Sequence, residues 1–302
     1  MATKPKKKYE AKTTEQKQAD VDELFNVLNE GVLNVQMNPD IFKALLEMSA
    51  LMPSYSFRNV ILIKAQCPHA RYVASFKEWK ELNRHVKKGE RSIRILAPRF
   101  KMITDEETGE REKKLIGFVS VPVFDYSQTD GEPLPIEKCK LTLEGESTEA
   151  EEILQLVKSL AAKDECKFEF GDTGYSNGYY APALHLIRVS EKLTTNHKAK
   201  TAVHELVHSR VHRDSRQSTS EEERECVAEG TAFIICSYFG LDTSSYSFEY
   251  VKSWSDNEEA VLKYGTIIRE TAEQLINEFE LAITLKEDSE LEEAESQVLD
   301  IA

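Results

Sequence analysis

The spacing of hydrophobic and polar positions predicts helices at the start of the chain and strands after them. From about Thr14 to Val35, apolar residues recur every three or four positions, as in an amphipathic helix. "NPDIFKALLEMSALM" predicts a second helix beginning near Asn38 or Asp40, and "YSFRNVILIKAQCP" and "SFKEWKELN" predict two shorter ones. "RSIRILAPRF" and "KLIGFVSVPVFDY" alternate with the two-residue period of strands, and "DEETGE", with Gly109, suits a hairpin connection between them.

The second half opens after a stretch rich in Pro, Gly and Ser, residues 127–147, which predicts a linker. "STEAEEILQLVKSLAA" predicts a helix, and "KFEFGDTGYSNGYYAPALHLIRVS" predicts a strand, a turn and a strand. Further helices are predicted over the His-rich stretch, over Glu221–Phe239 and over about Phe248–Leu285. We therefore expect an α+β protein of two domains, 14–126 and 148–285, flanked by a polar Lys-rich tail (1–13) and a disordered acidic tail (286–302).

Composition limits the classes of protein to which the chain can belong. It has 302 residues, of which 40% are hydrophobic and 30% charged, as is typical of a globular protein. Its longest apolar runs are too short to span a bilayer, so no membrane partner is expected. Five cysteines, an odd number without a C-x-x-C pair, argue against a disulfide framework and favour the reducing cytoplasm.

The net charge of −14 conceals a basic segment. Residues 71–101 contain ten Lys or Arg against three Glu, with aromatic residues among or just before them. Cations for phosphates and aromatic faces for unstacked bases are what single-stranded DNA requires. The alternative is that the aromatic residues are core and the charges a solvated face. The candidate DNA-binding residues are Tyr55, Phe57, Asn59, Tyr72, Trp79, Arg84, Lys87, Lys88, Arg91 and Arg94.

The stretch "TAVHELVHSRVHRDSR" places three histidines, His204, His208 and His212, four residues apart. On a helix, the first two can reach one Zn²⁺ ion, and Glu205 in the resulting H-E-x-x-H motif is placed to act as general base toward a water. The second pair encloses "SRV" and no glutamate, so it cannot supply the base. His212 lies a further turn along the helix, about 6 Å from His208, and is interpreted as a substrate-side or structural residue.

A catalytic zinc ion usually has three protein ligands and an open position. The predicted helix "EEERECVAEGTAFIICSYFG" presents Glu225 and Glu229 on one face, with the small Ala228 beside them. We expect Glu225 to be the third ligand and Glu229 to hydrogen-bond a ligand histidine, although the reverse assignment is left open by the pattern. The expected cofactor is one Zn²⁺ per chain.

With these residues in place, the second half resembles the zincin-like metallopeptidases of the ImmA/IrrE type, through "YYAPALHLIRVS", "HELVH" and "ECVAE". In that family the glutamate three residues before the alanine is a zinc ligand, which implies this role for Glu225. The first half resembles the N-terminal single-stranded-DNA-binding domain of ArdC-like antirestriction proteins, through "YSFRNVILIKAQCPHARYVASFKEWKELNRHVKKGERSIRILAP".

The order of the two halves resembles that of ArdC-type proteins of plasmids, conjugative elements or phages. The resemblance implies single-stranded DNA and an unidentified protein substrate as partners, and a role in antirestriction or protection of incoming DNA. Two alternatives remain. One is a non-catalytic DNA-binding protein with a structural or vestigial metal site, and the other is a DNA-responsive protease that cleaves a repressor.

Overall fold

The computed structural model describes residues 12–104, 111–134, 148–213, 219–241, 248 and 258–299. Both halves of the chain contain helices and strands, so the fold class is α+β. The described helices are α1 (Thr14–Met37), α2 (Pro39–Leu51), α3 (Phe57–Gln66), α4 (Phe76–Glu81), α5 (Thr148–Lys163), α6 (Thr195–Val211), α7 (Glu221–Tyr238) and α8 (Glu258–Leu299). The described strands are β1 (Val73–Ala74), β2 (Arg84–Val86), β3 (Ile93–Thr104), β4 (Arg111–Asp125), β5 (Thr129–Gly131), β6 (Lys167–Gly171), β7 (Gly178–Ala181) and β8 (Leu186–Ser190).

Local capping explains where two of the N-terminal helices begin. The Asn38 side chain accepts a hydrogen bond from the backbone N–H of Asp40, and Pro39 occupies the first turn of α2. Ser75 and Glu78 form a reciprocal capping box at the start of α4. The start of α2 therefore agrees with one of the two starts predicted from the sequence.

Strands β3 and β4 pair antiparallel from Ile93 opposite Val123 to Thr104 opposite Arg111, with β1 on the other side of β4. The register shifts between Arg99 and Phe100, and beyond this bulge the two-stranded ribbon is exposed. A second pair joins β2 to β5 antiparallel. The predicted hairpin connection, "DEETGE", lies outside the described residues.

In the second half, three strands are ordered β6-β8-β7, with β6 parallel and β7 antiparallel to β8. The sequence predicted only two strands here. Helix α6 packs against α5, α7, β7 and β8, and α7 packs in turn against α8 and α2. This arrangement places the edge strand β7 and the N-terminal part of α7 on either side of the His-rich helix.

The chain divides into two compact units: residues 1–31 with 61–132, and residues 32–60 with 133–302. Residues 32–60 therefore group with the C-terminal half, whereas the sequence had placed them in the N-terminal domain. The predicted linker at 127–147 begins too early, because a 3-10 turn (Tyr126–Gln128) and β5 occupy its first residues. The acidic end, predicted to be disordered, is helical as far as Leu299. None of the described helices is both long and apolar enough to cross a membrane.

An arginine clamp ties α6 to α8 and to the end of α5. Arg210 donates to the carboxylates of Asp164 at 2.6 Å and of Glu278 at 2.9 Å, and its side chain is only 17% exposed. Burial raises the pKa of the Glu278 carboxyl, but hydrogen bonds from Arg210 outweigh this effect, so that the pKa lies below its usual value. Because folding lowers the pKa of Glu278, its ionised carboxylate stabilises the folded state at neutral pH. This stabilisation is lost as the pH falls into the acid range.

We expect Arg210→Met to lower the free energy of unfolding at pH 7 by about 3 kcal/mol, because it removes the partly buried cation that both carboxylates share. The acid-induced loss of stability should be smaller in the variant. Urea unfolding at several pH values measures both effects. Lys163→Met is the control: Lys163 lies 3.5 Å from Glu278 but is 66% exposed, and its loss should change stability by less than about 0.5 kcal/mol. Equal effects of the two substitutions would contradict this role for Arg210.

Candidate metal centre

Helices α6 and α7 bring two imidazoles and a carboxylate together. The Nε2 atoms of His204 and His208 lie 3.0 Å apart, because the two residues are one helical turn apart on α6. One carboxylate oxygen of Glu225, in the second turn of α7, lies 3.2 Å from His204 Nε2, and the other lies 3.3 Å from His208 Nε2. Three potential ligands thus converge within 4.8 Å of one another.

These separations fit a divalent metal ion. Tetrahedral ligands at about 2.0–2.1 Å from zinc are about 3.3–3.4 Å from each other, close to the three distances here. Two imidazole nitrogens and one carboxylate suit Zn²⁺ and also other divalent first-row metals, so the donor set does not select one metal. The three side chains therefore have both the chemistry and the spacing of a metal centre with an open position.

The remaining ring nitrogens of both histidines also have partners. His204 Nδ1 lies 3.4 Å from a Glu229 oxygen, and the other Glu229 oxygen lies 3.4 Å from Lys200 Nζ. His208 Nδ1 lies 2.9 Å from Nδ1 of the buried His212, which ends α6. Such outer contacts fix ring orientation and tautomer in metal sites. Glu229 and His212, the two supporting residues expected from the sequence, both lie where they can orient a ligand histidine.

His204 and Glu225 form a close pair in which each shifts the pKa of the other. Burial lowers the pKa of His204, but hydrogen bonds to Glu225 and Glu229 outweigh it and raise the pKa to about 9. The hydrogen bonds with His204 and His208 hold the pKa of Glu225 far below its usual value.

Glu205 lies beside the ligands but belongs to the buried side of α6. It is 7% exposed, and its carboxylate accepts a hydrogen bond from the backbone N–H of Tyr180 in β7. Burial raises the pKa of the Glu205 carboxyl, while the nearby His204 and His208 act in the opposite direction. A carboxylate whose pKa is raised is a stronger base, so its setting suits proton transfer.

A cleft of about 490 Å³ opens over the centre. Sequence reasoning missed several polar or aromatic residues that line it, among them Asn177, Tyr179, His197, Lys200 and Arg224. Arg224 directly precedes Glu225, and this adjacency is the one signal in the sequence that could have pointed to it. The others come from β7, from the turn before it or from the first turns of α6, and no motif marks them.

Gly178 allows β7 to approach α6 closely. A Cβ atom at this position would lie 2.6 Å from Thr201 Cγ2, 2.9 Å from the Arg188 carbonyl oxygen and 3.5 Å from Glu205 Cγ. We expect Gly178→Ala to push β7 off α6, to weaken the Tyr180–Glu205 hydrogen bond and to cost about 1–3 kcal/mol. Thermal unfolding of this variant beside Gly171→Ala measures the effect of crowding. Like Gly178, Gly171 has no positive φ, but a Cβ there would make only an ordinary contact, 3.6 Å from Arg188 Cδ, so equal losses in the two variants would contradict this role for Gly178.

The basic segment presents part of the predicted DNA-binding set to solvent. Lys88 and Arg91 are exposed on either side of Gly89, whose φ of +97° makes the turn. Lys87 is 40% exposed and donates to the carbonyl of Ser127. The partly exposed residues of the set include Tyr72 and Arg94, and Arg94 is held by Ser120 and Asp20.

Four residues of the predicted DNA-binding set are buried, and for three of them the core packing contradicts that prediction. Trp79 is 0% exposed and donates its indole N–H to the Phe124 carbonyl. Arg84 is 6% exposed, stacks on Tyr126 with its guanidinium 4.0 Å from the ring centre, and bonds to Thr129. Phe57 is 0% exposed, and these three side chains therefore pack the core and cannot reach a base.

Two further predicted DNA contacts, Tyr55 and Asn59, group with the C-terminal half of the chain, whereas the basic segment belongs to the other unit. Asn59 is 8% exposed, and its backbone N–H lies 3.4 Å from Ser56 Oγ near the start of α3. Tyr55 is partly exposed. These two residues therefore belong to a different compact unit from Lys88 and Arg91.

The fold and these sites define an α+β protein with a His₂Glu candidate metal centre in one unit and a basic surface in the other. Residues 14–124 match the family model of the N-terminal domain of the anti-restriction factor ArdC. This part of the chain is therefore similar to that domain.

Three further matches cover most of this chain. An uncharacterized protein of Bacillus anthracis, pXO2-81, is 30% identical over 325 aligned residues, which cover 93% of this chain and 55% of the relative. The chain thus spans about half the length of that protein. A metal-free crystal structure of antirestriction protein ArdC from plasmid R388 is 23% identical, with a TM-score of 0.49. A Mn(II)-bound structure of the same protein is 20% identical, with a TM-score of 0.46, and each comparison covers 74% of this chain and 84% of that one.

Proposed function

We propose that this chain is an antirestriction protein of a mobile genetic element, acting in the cytoplasm. In this proposal the C-terminal unit is a metal-dependent peptidase and the N-terminal unit binds single-stranded DNA. The observation that carries the peptidase assignment is the convergence of His204, His208 and Glu225 within 4.8 Å, with the buried Glu205 beside them. The match of residues 14–124 to the ArdC N-terminal domain supports the antirestriction role.

The mechanism assigns separate tasks to the residues around the cleft. His204, His208 and Glu225 would hold a divalent ion, which supplies Lewis-acid activation of water and of a peptide carbonyl when bound. Glu205 takes a proton from the attacking water and delivers it to the leaving amine. Glu229 and His212 hold the two imidazoles in the tautomer and orientation that direct Nε2 toward the ion.

The substrate backbone has a place beside β7. Within the described part of the chain β7 is an edge strand, and its residues Gly178, Tyr179 and Tyr180 line the cleft. A peptide that adds to this edge would lie in extended conformation across the centre, with backbone hydrogen bonds positioning its carbonyl. This mode of binding favours unfolded or flexible protein segments as substrates over rigid globular surfaces.

Binding of single-stranded DNA is proposed for the N-terminal unit, on the exposed cations around Gly89. The exposed aromatic residues Phe76 and Phe100, 60% and 47% exposed, are available for base stacking in place of the buried Trp79. Because Phe100 lies on the exposed part of the β3–β4 ribbon, that ribbon is part of the proposed DNA-binding surface.

We expect Lys88→Ala/Arg91→Ala to weaken binding to an oligonucleotide without secondary structure and to reduce its salt dependence. Removing one cation that neutralises a phosphate should lower the slope of log K against log salt by about 0.7, which gives about 1.4 for the pair. Fluorescence anisotropy titrations at several salt concentrations measure this slope. Lys167→Ala/Lys192→Ala, which removes two exposed cations from the other unit, is the control. An unchanged slope in the first variant would exclude this surface as the DNA site.

The antirestriction role is tested by transfer of DNA into a restricting host. Wild-type protein should raise the number of recipients, and Lys88→Ala/Arg91→Ala should reduce that protection. Glu205→Gln separates two forms of the proposal: loss of protection would assign it to proteolysis, whereas full protection would assign it to DNA binding alone. No protection by the wild type would contradict the role.

A further inference from the structure

A second group of potential metal ligands lies in the N-terminal unit, at the end of α3. Cys67 Sγ lies 3.6 Å from His69 Nε2. A carboxylate oxygen of Asp125, at the end of β4, joins them, and the three ligand atoms all lie within 4.8 Å of one another. Neither the peptidase mechanism nor the proposed DNA-binding surface uses these residues.

The local fold explains why the three side chains converge. Helix α3 ends at Gln66, and the tight turn Cys67–Ala70, closed by the bond from Ala70 N–H to the Cys67 carbonyl, directs the thiol and the imidazole to the same side. Asp125 pairs with Val73 across β1 and β4. Its carboxylate accepts hydrogen bonds from the backbone N–H groups of Arg71, Tyr72 and Ser127, which hold it in place. Oδ1 accepts the bonds from Arg71 and Tyr72, whereas Oδ2 accepts only the one from Ser127 and keeps a lone pair for a cation.

The spacing and the charges suit a divalent transition metal. A tetrahedral ion with Zn–S of about 2.3 Å and Zn–N of about 2.0–2.1 Å separates sulfur from nitrogen by about 3.5–3.6 Å, close to the Cys67–His69 distance. Burial raises the pKa of the Cys67 thiol, and the negative charge of Asp125 raises it further. A cation between the two groups would remove this repulsion and stabilise the thiolate.

The group also has an open side. A cleft of about 780 Å³ is lined by both Cys67 and His69, and Gly89, Arg91 and Ser92 also line it. The exposed His69 can adjust toward an ion because its ring is not packed in the core. The carboxylate, by contrast, is 2% exposed and fixed, so the site combines two pre-formed ligands with one mobile ligand.

We propose that Cys67, His69 and Asp125 hold a second divalent metal ion, of the zinc class, with one coordination position open to this cleft. The ion would tie the end of α3 to the end of β4 and place a positive charge beside Arg91. A water or an anionic group such as a phosphate would complete its coordination. This site is independent of the peptidase centre, since it shares no residue with it and its sulfur ligand has no counterpart there.

Cobalt(II) substitution tests the proposal on the full chain. A cysteine ligand produces a thiolate-to-cobalt charge-transfer band in the near ultraviolet, which a site of two histidines and a carboxylate cannot produce. We expect the wild type to show this band at saturating cobalt, with two ions bound per chain by elemental analysis. Cys67→Ser and His69→Ala should each abolish the band, while His85→Ala, which removes an exposed histidine of the same unit, should leave it intact.

The double variant His204→Ala/His208→Ala distinguishes the two centres. It should lose one ion and keep the thiolate-to-cobalt band. A result that refutes the peptidase proposal would therefore not refute the metal site at Cys67, His69 and Asp125. A wild type without the band at saturating cobalt overturns the proposal, as does a band that survives His69→Ala. Far-ultraviolet circular dichroism of each variant separates a lost site from a lost fold. Because His69 is exposed, its replacement should not disturb the fold.

Discussion

Glu205→Gln is expected to reduce peptide-bond cleavage by about 10²–10⁴-fold while the protein keeps its metal. The substitution preserves the size of the side chain but removes its ability to accept a proton, and Glu205 is not among the three converging ligands. A substrate can be found by incubating the wild type with a peptide mixture and locating the cleavage sites by mass spectrometry. The kcat/KM values of the wild type and of Glu205→Gln are then compared on that substrate. Metal content by elemental analysis completes the measurement.

Glu222→Gln is the matched control, because Glu222 is an exposed glutamate in the first turn of α7. It should retain wild-type cleavage and wild-type metal content. Cleavage that persists in Glu205→Gln at the wild-type rate would refute its role as the base. A wild type that cleaves no peptide with zinc or manganese bound would refute the peptidase assignment itself, and the non-catalytic alternative would replace it.

Replacing both His204 and His208 by alanine is expected to abolish metal binding at the centre and, with it, metal-dependent stabilisation. Since the three ligands come from two helices, the site does not exist in the unfolded chain, and binding stabilises only the folded state. An ion present at one hundred times its Kd for this centre should stabilise the wild type by about 2.7 kcal/mol more than the variant, which keeps only the proposed site at Cys67, His69 and Asp125. Thermal unfolding with added zinc, with added manganese and with a chelator measures this difference.

His197→Ala is the control for this prediction, because His197 lines the same cleft but is exposed and lies outside the group of three ligands. Single substitutions at the two glutamates resolve the assignment that the sequence left open. Glu225→Gln should remove the ion, whereas Glu229→Gln should weaken its binding by about 10–100-fold, because Glu229 would no longer orient His204. The opposite order would make Glu229 the ligand, and metal stabilisation unaffected by loss of both histidines would exclude this centre.

The candidate metal centre was more accessible to sequence reasoning than the DNA-binding surface. A spacing of four residues on a helix places His204 and His208 on one face whatever the rest of the fold does. Glu225 required an assumption, that a second helix packs closely against the first, which the small Ala228 favoured. The cleft residues Lys200 and Arg224 were missed because their relation to the centre depends on how α6, α7 and β7 are arranged.

The DNA-contacting residues of the basic segment could not be predicted from the sequence in the same way. Aromatic residues among cations have the same pattern whether they face DNA or the core, and a solvated surface cannot be distinguished from an interior by composition alone. Arg84 is buried because β5 supplies Thr129 as a partner, and Trp79 is buried because the end of β4 supplies a carbonyl for its indole N–H. Those partners are 45 residues away in the chain.

Local patterns in this chain were sufficient for most helices, for the β3–β4 pair and for the two histidines on one helical face, because each depends on interactions between neighbouring residues. Long-range packing determined the third candidate ligand, the burial of Trp79 and Arg84, and the meeting of Cys67 with Asp125. It also grouped residues 32–60 with the C-terminal half. These features depend on which surfaces, distant in the sequence, pack against each other. The pattern of polar and apolar residues indicates which residues tend to be buried, but it does not indicate the partners against which they pack.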